Sequence, residues 1–251
     1  MRHLPLAFGL ALLLGCASEE GPRPKNEVIA HTLATTVQVV AERPNGASRS
    51  GSAVVLGEGS DGRTFMITAD HVLAPEAEQR LAVHFPSGQR QADAVLLARD
   101  PDVDLTLLAV AGPGDGGARL QQEAFLGDEV WVVAFPWGRR RTVVKGVVSQ
   151  IAAYHEDGRE VASINGPIQL IDASVSYGMS GGGVFDARTG DLLGIVRGYR
   201  TAQLSIEGSD AKPLQVPLAG ETTVVSAAQI ACFLAANGFA DVAGGSSAPR
   251  C

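Results

Sequence analysis

Short apolar runs separated by glycine, proline and aspartate turns fill most of this 251-residue chain. In the first half they include Thr35–Val40, Thr64–Thr68 and Leu81–Phe85, with turn signals such as Pro44–Gly46 between them. Runs of this length with turn residues at both ends are typical of β-strands, and the chain's 30 glycines and 13 prolines supply many such turns. The sequence therefore predicts an all-β fold made of many short strands.

The second half of the chain repeats the six-strand rhythm of the first half without repeating its sequence. We expect Thr201–Glu221 to be a surface loop. We also expect the segment around Gly146 to form two strands. The glycine-rich stretch Ala111–Gln121 marks a boundary, which predicts one β unit at 28–118 and a second at 119–238. The strands of the second unit are predicted within Gly127–Gly138, Thr142–Tyr154, Glu160–Ile164, Ile168–Asp172, Gly183–Asp186 and Leu192–Tyr199.

The second unit is predicted to end in a helix. Ser226 and Gln229 form a capping-box pattern and Gly238 is a helix stop, and we expect no other long helix after the N-terminal segment. Residues 239–251 are predicted to form a flexible tail. Cys232 can pair with Cys251, contributing about 3 kcal/mol, or it can be a small buried hydrophobe; the sequence leaves both open.

The N-terminus is typical of an export signal at 1–15. Its apolar run, Leu4–Leu14, is too short to span a bilayer and ends directly at Cys16, in a pattern that resembles the lipobox of bacterial lipoproteins. A lipid on Cys16 would anchor the chain to a membrane, with 16–27 as a polar tether. We therefore expect a lipid-anchored protein of the bacterial cell envelope, on the outer membrane facing the periplasm or at the cell surface. An ordinary secretory signal is the alternative.

Charge and ligand patterns exclude several classes of function. The net charge of −7 argues against nucleic acid as a partner. His155-Glu156-Asp157 lacks the spacing of a metal site, so we expect neither a metal nor a cofactor.

Ser180 lies in a loop that carries the pattern of a nucleophile. It stands between Gly178 and the glycines 181–183. A serine hydroxyl needs a neighbouring base to act as a nucleophile, and glycines allow backbone amides to converge on one point, as an oxyanion hole requires. Taken alone, such a cluster is more often only a glycine-rich turn between strands.

His71 and Asp104 supply the partners that such a serine needs. His71 follows the apolar strand Thr64–Thr68, and Asp104 precedes another strongly apolar strand. A carboxylate at that position is costly to bury without a donor, and a histidine N–H is a suitable one. The chain order His71, Asp104, Ser180 is one of the known orders of the catalytic triad.

Five blocks of the chain, in order, resemble the protease domain of HtrA/Deg-type trypsin-like serine proteases, and the resemblance runs from about Gly51 to Asn237. It implies two six-stranded antiparallel β-barrels with a C-terminal α-helix, protein or peptide substrates, and a serine endopeptidase activity. Family members often form trimers through N-terminal segments and carry a PDZ domain after the protease domain; oligomerisation stays open here, and we expect no PDZ domain. The blocks are Thr64–Leu73, Asp100–Val110, Gly127–Gly138, Gly146–Ile151 and Ile168–Val196.

The resemblance also implies roles for individual residues. Ser180 would attack the scissile carbonyl, His71 would accept and return its proton, and Asp104 would orient the imidazole. The amides of Gly178 and Ser180, with Met179 as a third candidate, would bind the oxyanion. Three residues depart from the family's usual pattern. Met179 stands where the family usually has asparagine, Gly183 where it usually has proline, and Tyr177 where proline is common.

Substrate specificity is expected to exclude basic residues before the scissile bond. Ser174 stands where a trypsin-like preference for arginine or lysine would need an acid, and Ile195, Val196, Arg197 and Gly198 are the candidate wall of the pocket. We expect a small or apolar residue at that substrate position.

The serine loop has two other interpretations. Gly178–Gly182 fits the G-x-S-x-G pattern of α/β-hydrolase esterases, but that fold needs a histidine after the serine, and none of the five histidines follows Ser180. A protease-fold lipoprotein that is inactive and acts as a binding module remains the alternative, because Met179 and Tyr177 depart from the family's pattern.

Overall fold

The computed structural model describes residues 23–73, 79–86, 91–114, 116–151, 168–171, 173–204 and 214–243. Its strands form two closed barrels in which neighbouring strands are antiparallel. The strand order is β1-β2-β3-β6-β5-β4 in the first barrel and β7-β8-β9-β12-β11-β10 in the second, so the two barrels share one topology. The prediction of two six-stranded barrels is confirmed. The strands of the first barrel are β1 Thr36–Glu42, β2 Ser48–Glu58, β3 Arg63–Thr68, β4 Arg80–His84, β5 Gln91–Asp100 and β6 Leu105–Ala111. Those of the second are β7 Glu129–Ala134, β8 Thr142–Ile151, β9 Ile168–Ile171, β10 Gly183–Asp186, β11 Leu192–Leu204 and β12 Leu214–Ser226.

Strands β2 and β7 bury both of their faces. Side chains alternate across a strand, so Ala53 and Val55 of β2 enter the first barrel, while Val54 lies in a cluster shared by both barrels. In β7, Val132 enters the second barrel and Val133 the shared cluster. This is why the corresponding segments are continuous apolar runs, not alternating ones.

The segment between the barrels bonds to both of them. Ala118 N–H donates to the carbonyl of Val55 in the first barrel at 2.8 Å, and Gln121 N–H donates to the carbonyl of Leu192 in the second at 2.9 Å. The connection that the sequence marked as a boundary therefore ties the two units together.

Helix α1, Lys25–Thr35, was not predicted, and the expectation of a single long helix is wrong. Its buried positions Val28, Thr32 and Thr35 follow helical spacing, but two of the three are threonines, so the segment carries little apolar periodicity. The helix packs on the second barrel, where the ammonium of Lys25 lies 4.8 Å from the ring centroid of Trp131.

Helix α2, Ala227–Ala236, forms where the capping box predicts it. The Ser226 hydroxyl accepts from the Gln229 amide at 3.3 Å, and the Gln229 side chain accepts from the Ser226 amide at 3.2 Å. The helix packs Ile230 and Leu234 into the shared cluster. No helix in the described part of the chain is long and apolar enough to cross a membrane.

Two predictions for the second barrel are corrected. The expected surface loop Thr201–Glu221 contributes strand residues to β11 and β12, which pair from Gly194↔Ser226 to Leu204↔Leu214. The described side chains of this segment at 201–204 and at 214, 216 and 218 are exposed or partly exposed, so the apolar signal of a strand is missing there. The segment around Gly146 is one continuous strand, β8.

Several predictions concern residues outside the described ranges. These are the signal peptide 1–15 with Cys16, the strand Glu160–Ile164, and most of the tail, including Cys251. Cys232 of α2 is held in a disulfide, so it is not a free buried thiol; pairing with Cys251, the other alternative, stays a prediction.

A buried carboxylate anchors the 3₁₀ turn Asp70–Val72 that follows β3. The Asp70 carboxylate accepts two bonds from the Arg99 guanidinium, at 2.7 and 2.8 Å, and one from the Thr106 hydroxyl at 2.7 Å. Burial acts to raise the pKa of the Asp70 carboxyl, but the bonds from Arg99 and Thr106 outweigh it and lower that pKa below its ordinary value. The turn is thus tied to β5 and β6.

Replacing Arg99 by glutamine is expected to destabilise the protein by about 1–3 kcal/mol, because a buried charged group loses its partner. The folded-state pKa of Asp70 is lowered, so its contribution is present above the ordinary pKa of about 3.9 and is lost as the pH falls through the folded value. The difference between wild type and Arg99→Gln in urea unfolding should hold at neutral pH and close only in acid.

The exposed pair Arg80–Asp93, joined at 2.9 Å, provides the control. Arg80→Gln should cost less than Arg99→Gln, since solvent screens an exposed pair. Equal losses in the two variants would contradict the role assigned to Asp70.

Candidate active site

His71 and Asp104 meet because two antiparallel neighbours bring their segments to one edge of the first barrel. Strand β3 ends at Thr68 and pairs there with Thr106 near the start of β6. The segment after β3 carries His71 and the segment before β6 carries Asp104. Asp104 itself has a φ of 66°, in the left-handed region that residues other than glycine rarely occupy.

Asp104 holds both the backbone and the ring of His71. Its Oδ1 accepts from the His71 backbone N–H at 2.9 Å, and Oδ1 and Oδ2 lie 3.0 and 2.8 Å from His71 Nδ1. A carboxylate is an acceptor only, so Nδ1 carries the proton and Nε2 is left with its lone pair. The Asp104 side chain is 9% exposed, whereas that of His71 is 50% exposed and faces the cleft.

Ser180 completes the constellation from the second barrel. It lies in the turn that precedes β10, and its Oγ is 2.8 Å from His71 Nε2. The structure thus brings the three residues singled out in the sequence into one hydrogen-bonded chain, carboxylate to imidazole to hydroxyl. A serine with a base in reach and an orienter behind that base is the arrangement of an activated nucleophile.

Two backbone amides beside Ser180 point to no acceptor among the described residues. These are the N–H groups of Gly178 and Ser180. The amide of Met179, the third candidate, donates to the carbonyl of Ser176 at 3.1 Å and is therefore occupied. Gly178 has a φ of 87°, and a Cβ there would lie 2.7 Å from the carbonyl oxygen of Phe135, so only glycine fits.

The three residues that depart from the family's pattern lie at different depths around the site. Met179 is 1% exposed in the core of the second barrel, where its Sδ accepts from the Ser176 amide at 3.3 Å. Gly183 is buried at the start of β10, against the ring of Phe185. Tyr177 is 52% exposed at the rim of the cleft. None of the three displaces His71 or Ser180.

Ser52 of β2 was missed by the sequence analysis, although it makes three hydrogen bonds between the barrels at the site. Its Oγ donates to the carbonyl of Gly178 at 3.0 Å and accepts from the amide of Phe135 at 2.9 Å. Its own amide donates to the carbonyl of Ser180 at 2.8 Å. It is fully buried, so these bonds are shielded from water. No local motif could have revealed it, because its partners lie in the other half of the chain.

The predicted pocket residues lie apart from the open cleft. Ile195 is fully buried in the shared cluster and Val196 in the core of the second barrel. Ser174 is exposed and Gly198 is partly exposed. The guanidinium of Arg197 is turned toward Asp104, with 3.7 Å between its Nε and Oδ2. The pocket assignment therefore stays a prediction.

An open cleft of about 280 Å³ lies beside the serine. Its lining includes residues that the sequence analysis did not single out, because they fall before the first recognisable block. The lining is Arg49, Ser50, His71, Val72, Tyr177, Gly178 and Ser180. Within the described ranges, no three histidine, cysteine or acidic residues are grouped to hold a metal ion.

Comparison with curated proteins finds periplasmic proteases. The periplasmic pH-dependent serine endoprotease DegQ of Escherichia coli (strain K12) is 28% identical over 152 residues, covering 58% of this chain and 30% of DegQ. A probable periplasmic serine endoprotease DegP-like of Ectopseudomonas mendocina is 30% identical over 182 residues, covering 69% of this chain and 36% of the relative. The chain thus spans about a third of the length of these relatives.

Solved structures share the fold. The active form of the Rv3671c protease from M. tuberculosis has a TM-score of 0.64 at 22% identity, with 94% of this chain and 95% of that chain covered. The serine endoprotease from Yersinia pestis has a TM-score of 0.62 at 23% identity, with 87% and 68% covered. A model of the trypsin-like peptidase domain matches residues 51–195, more than half of the chain, which therefore belongs to the trypsin-like peptidase family.

Proposed function

We propose that this chain is a serine endopeptidase that hydrolyses peptide bonds of exported or misfolded proteins through His71, Asp104 and Ser180. The observation that carries the proposal is the 2.8 Å separation between Ser180 Oγ and His71 Nε2, with Nδ1 of the same ring on a buried carboxylate. A structural turn does not require its serine to lie within hydrogen-bond distance of an imidazole whose tautomer is fixed by a buried carboxylate.

The geometry supports acyl transfer. Ser180 Oγ attacks the scissile carbonyl carbon while its proton passes to His71 Nε2, and Asp104 stabilises the imidazolium that forms. The same proton then goes to the leaving amine, the C–N bond breaks, and an acyl-serine remains. A water molecule then gives a proton to His71 Nε2 while its oxygen attacks the acyl carbon. The bond from that carbon to Ser180 Oγ breaks, His71 returns the proton to Oγ, and the acid leaves.

The amides of Gly178 and Ser180 are suited to the oxyanion. Both are without an acceptor among the described residues, whereas the Met179 amide is not. Donors fixed in advance stabilise the charge that develops on the carbonyl oxygen, and the loss of one such donor typically slows a reaction about 10²- to 10³-fold. We therefore assign the hole to Gly178 and Ser180 and leave Met179 out of it.

The names of the relatives support an envelope location. Both DegQ and the DegP-like relative are called periplasmic, in agreement with an export signal at 1–15. We keep lipidation at Cys16 as part of the proposal, with a membrane reached through that lipid. Ser174 supports a small or apolar residue, not arginine or lysine, before the scissile bond.

Wild-type protein is expected to react with a fluorophosphonate probe and to degrade unfolded casein. Ser180→Ala should abolish both. His71→Ala should slow casein cleavage by about four to six orders of magnitude, because the nucleophile loses its base. Labelling on gels and release of fluorescent casein fragments measure the two readouts.

The mutation Thr36→Val serves as a control, since Thr36 is buried, bonds to the Thr32 carbonyl and does not line the cleft. It should retain labelling. A folded wild-type protein that neither labels nor cleaves would refute the endopeptidase and leave the binding module as the function of the fold.

Replacing Ser52 by alanine is expected to lower kcat about 10- to 100-fold with little change in KM. The Gly178 carbonyl and the Phe135 amide would lose their buried partner, and the oxyanion amide of Gly178, in the same residue as that carbonyl, would lose its fixed position. The kinetics are measured on a fluorogenic peptide built from a casein cleavage site.

Thr36→Val again separates catalysis from stability. Each variant loses buried hydroxyl bonds and should be destabilised by about 1–3 kcal/mol, but only Ser52→Ala should lose kcat at a temperature where both remain folded. Unchanged kcat in Ser52→Ala, or an equal fall in both variants, would exclude a positioning role for Ser52.

A further inference from the structure

The open cleft at Ser180 has walls from both barrels. Besides the nucleophile and Gly178, its walls are His71 and Val72, the neighbouring pair Arg49 and Ser50 at the start of β2, and Tyr177. Residues of the first barrel therefore form one side of the cleft, and a single aromatic ring of the second barrel forms the other.

The position of His71 shows which part of a substrate would occupy this cleft. His71 Nε2 must return its proton to the leaving amine, so that amine lies next to the imidazole. The peptide segment that follows the scissile bond continues from that amine. The walls beyond the imidazole, Val72, Arg49 and Ser50, are therefore placed to contact the leaving-group segment.

Arg49 is the only charged side chain of this lining apart from the titratable imidazole. It is exposed, and its Nη1 donates to the backbone carbonyl of His71 at 3.3 Å. Arg80 and Arg99 each bond to a carboxylate, whereas Arg49 makes no ion pair with a described residue. In a chain of net charge −7, this leaves an uncompensated cation directly beside the nucleophile.

The opposite wall is held in place by the main chain. Tyr177 packs at a tilt against Trp137, with 5.7 Å between ring centroids. The Tyr177 carbonyl accepts from the Trp137 amide at 2.6 Å, and Trp137 has a φ of 55°. A strained conformation held by its surroundings is a feature of binding sites. The exposed ring of Tyr177 is an apolar surface in the same cleft as Arg49.

We propose that Arg49 is a specificity-determining residue that selects an acidic side chain in the first or second substrate residue after the scissile bond. Aspartate or glutamate would place its carboxylate on the free guanidinium nitrogens, with its stem against Tyr177. The inference rests on the proposed endopeptidase activity and adds the chemistry of its leaving-group side.

A proteome-derived peptide library cleaved by the wild-type protein tests this inference, with cleavage sites read by mass spectrometry. Acidic residues should be enriched about two- to fivefold at the first two positions after the cut, the range that an exposed ion pair provides. Arg49→Gln should remove the enrichment, Arg49→Lys should keep part of it, and Arg49→Glu should replace it with lysine and arginine. High salt should weaken the wild-type preference, because it screens exposed charges.

Arg140→Gln is the matched control: Arg140 is exposed and does not line the cleft, so the same change of net charge should leave the profile as in the wild type. Fluorophosphonate titration counts active protein in each preparation. Suppose that the wild type cleaves the library, that Ser180→Ala does not, and that acidic residues are not enriched. That result would refute the role of Arg49 but would agree with the proposed endopeptidase activity. A library that the folded wild type leaves intact would refute the endopeptidase itself.

Discussion

Ser52 joins the two barrels at the point where the constellation has to be assembled. A histidine from one barrel can meet a serine from the other only if the serine loop is fixed against the first barrel, and Ser52 fixes it through bonds to Gly178, Phe135 and Ser180. The Thr68 hydroxyl bonds in turn to the carbonyl of Ser52 at 2.7 Å. This links the loop to the end of β3, from which His71 emerges, so one buried residue coordinates both halves of the site.

The apolar cluster shared by both barrels adds buried side chains to that connection. Side chains from β2, β6, β7 and helix α2 share one cluster, which holds the barrels together by burial and leaves orientation to hydrogen bonds. Among the described residues other than glycine, Asp104 and Trp137 have a left-handed backbone. Asp104 lies behind the imidazole of His71, and Trp137 packs against Tyr177 at the rim of the cleft. Regular strands supply rigidity, and the strained turns at their ends aim the functional groups.

Much of the site could be predicted because each catalytic side chain needs a particular hydrogen-bond partner. Asp104 before an apolar strand needs a donor, and a serine among glycines needs a base; these local requirements pointed to residues that the structure brings together. The polar hairpin of β11 and β12 and the helix Lys25–Thr35 were missed, since exposed strands and buried threonines carry no apolar pattern. Ser52 and Arg49 depend on contacts between distant parts of the chain, which no local pattern contains.

The neutral side chain of Met179 has a consequence for how the site responds to acidification. The loop that bears Ser180 is anchored by a thioether in an apolar core and by backbone amides, none of which takes up a proton. The histidine segment rests instead on the Asp70 carboxylate and its ionised partner. Protonation of Asp70 would therefore loosen the segment that carries His71, whereas the anchors of the serine loop would be unchanged.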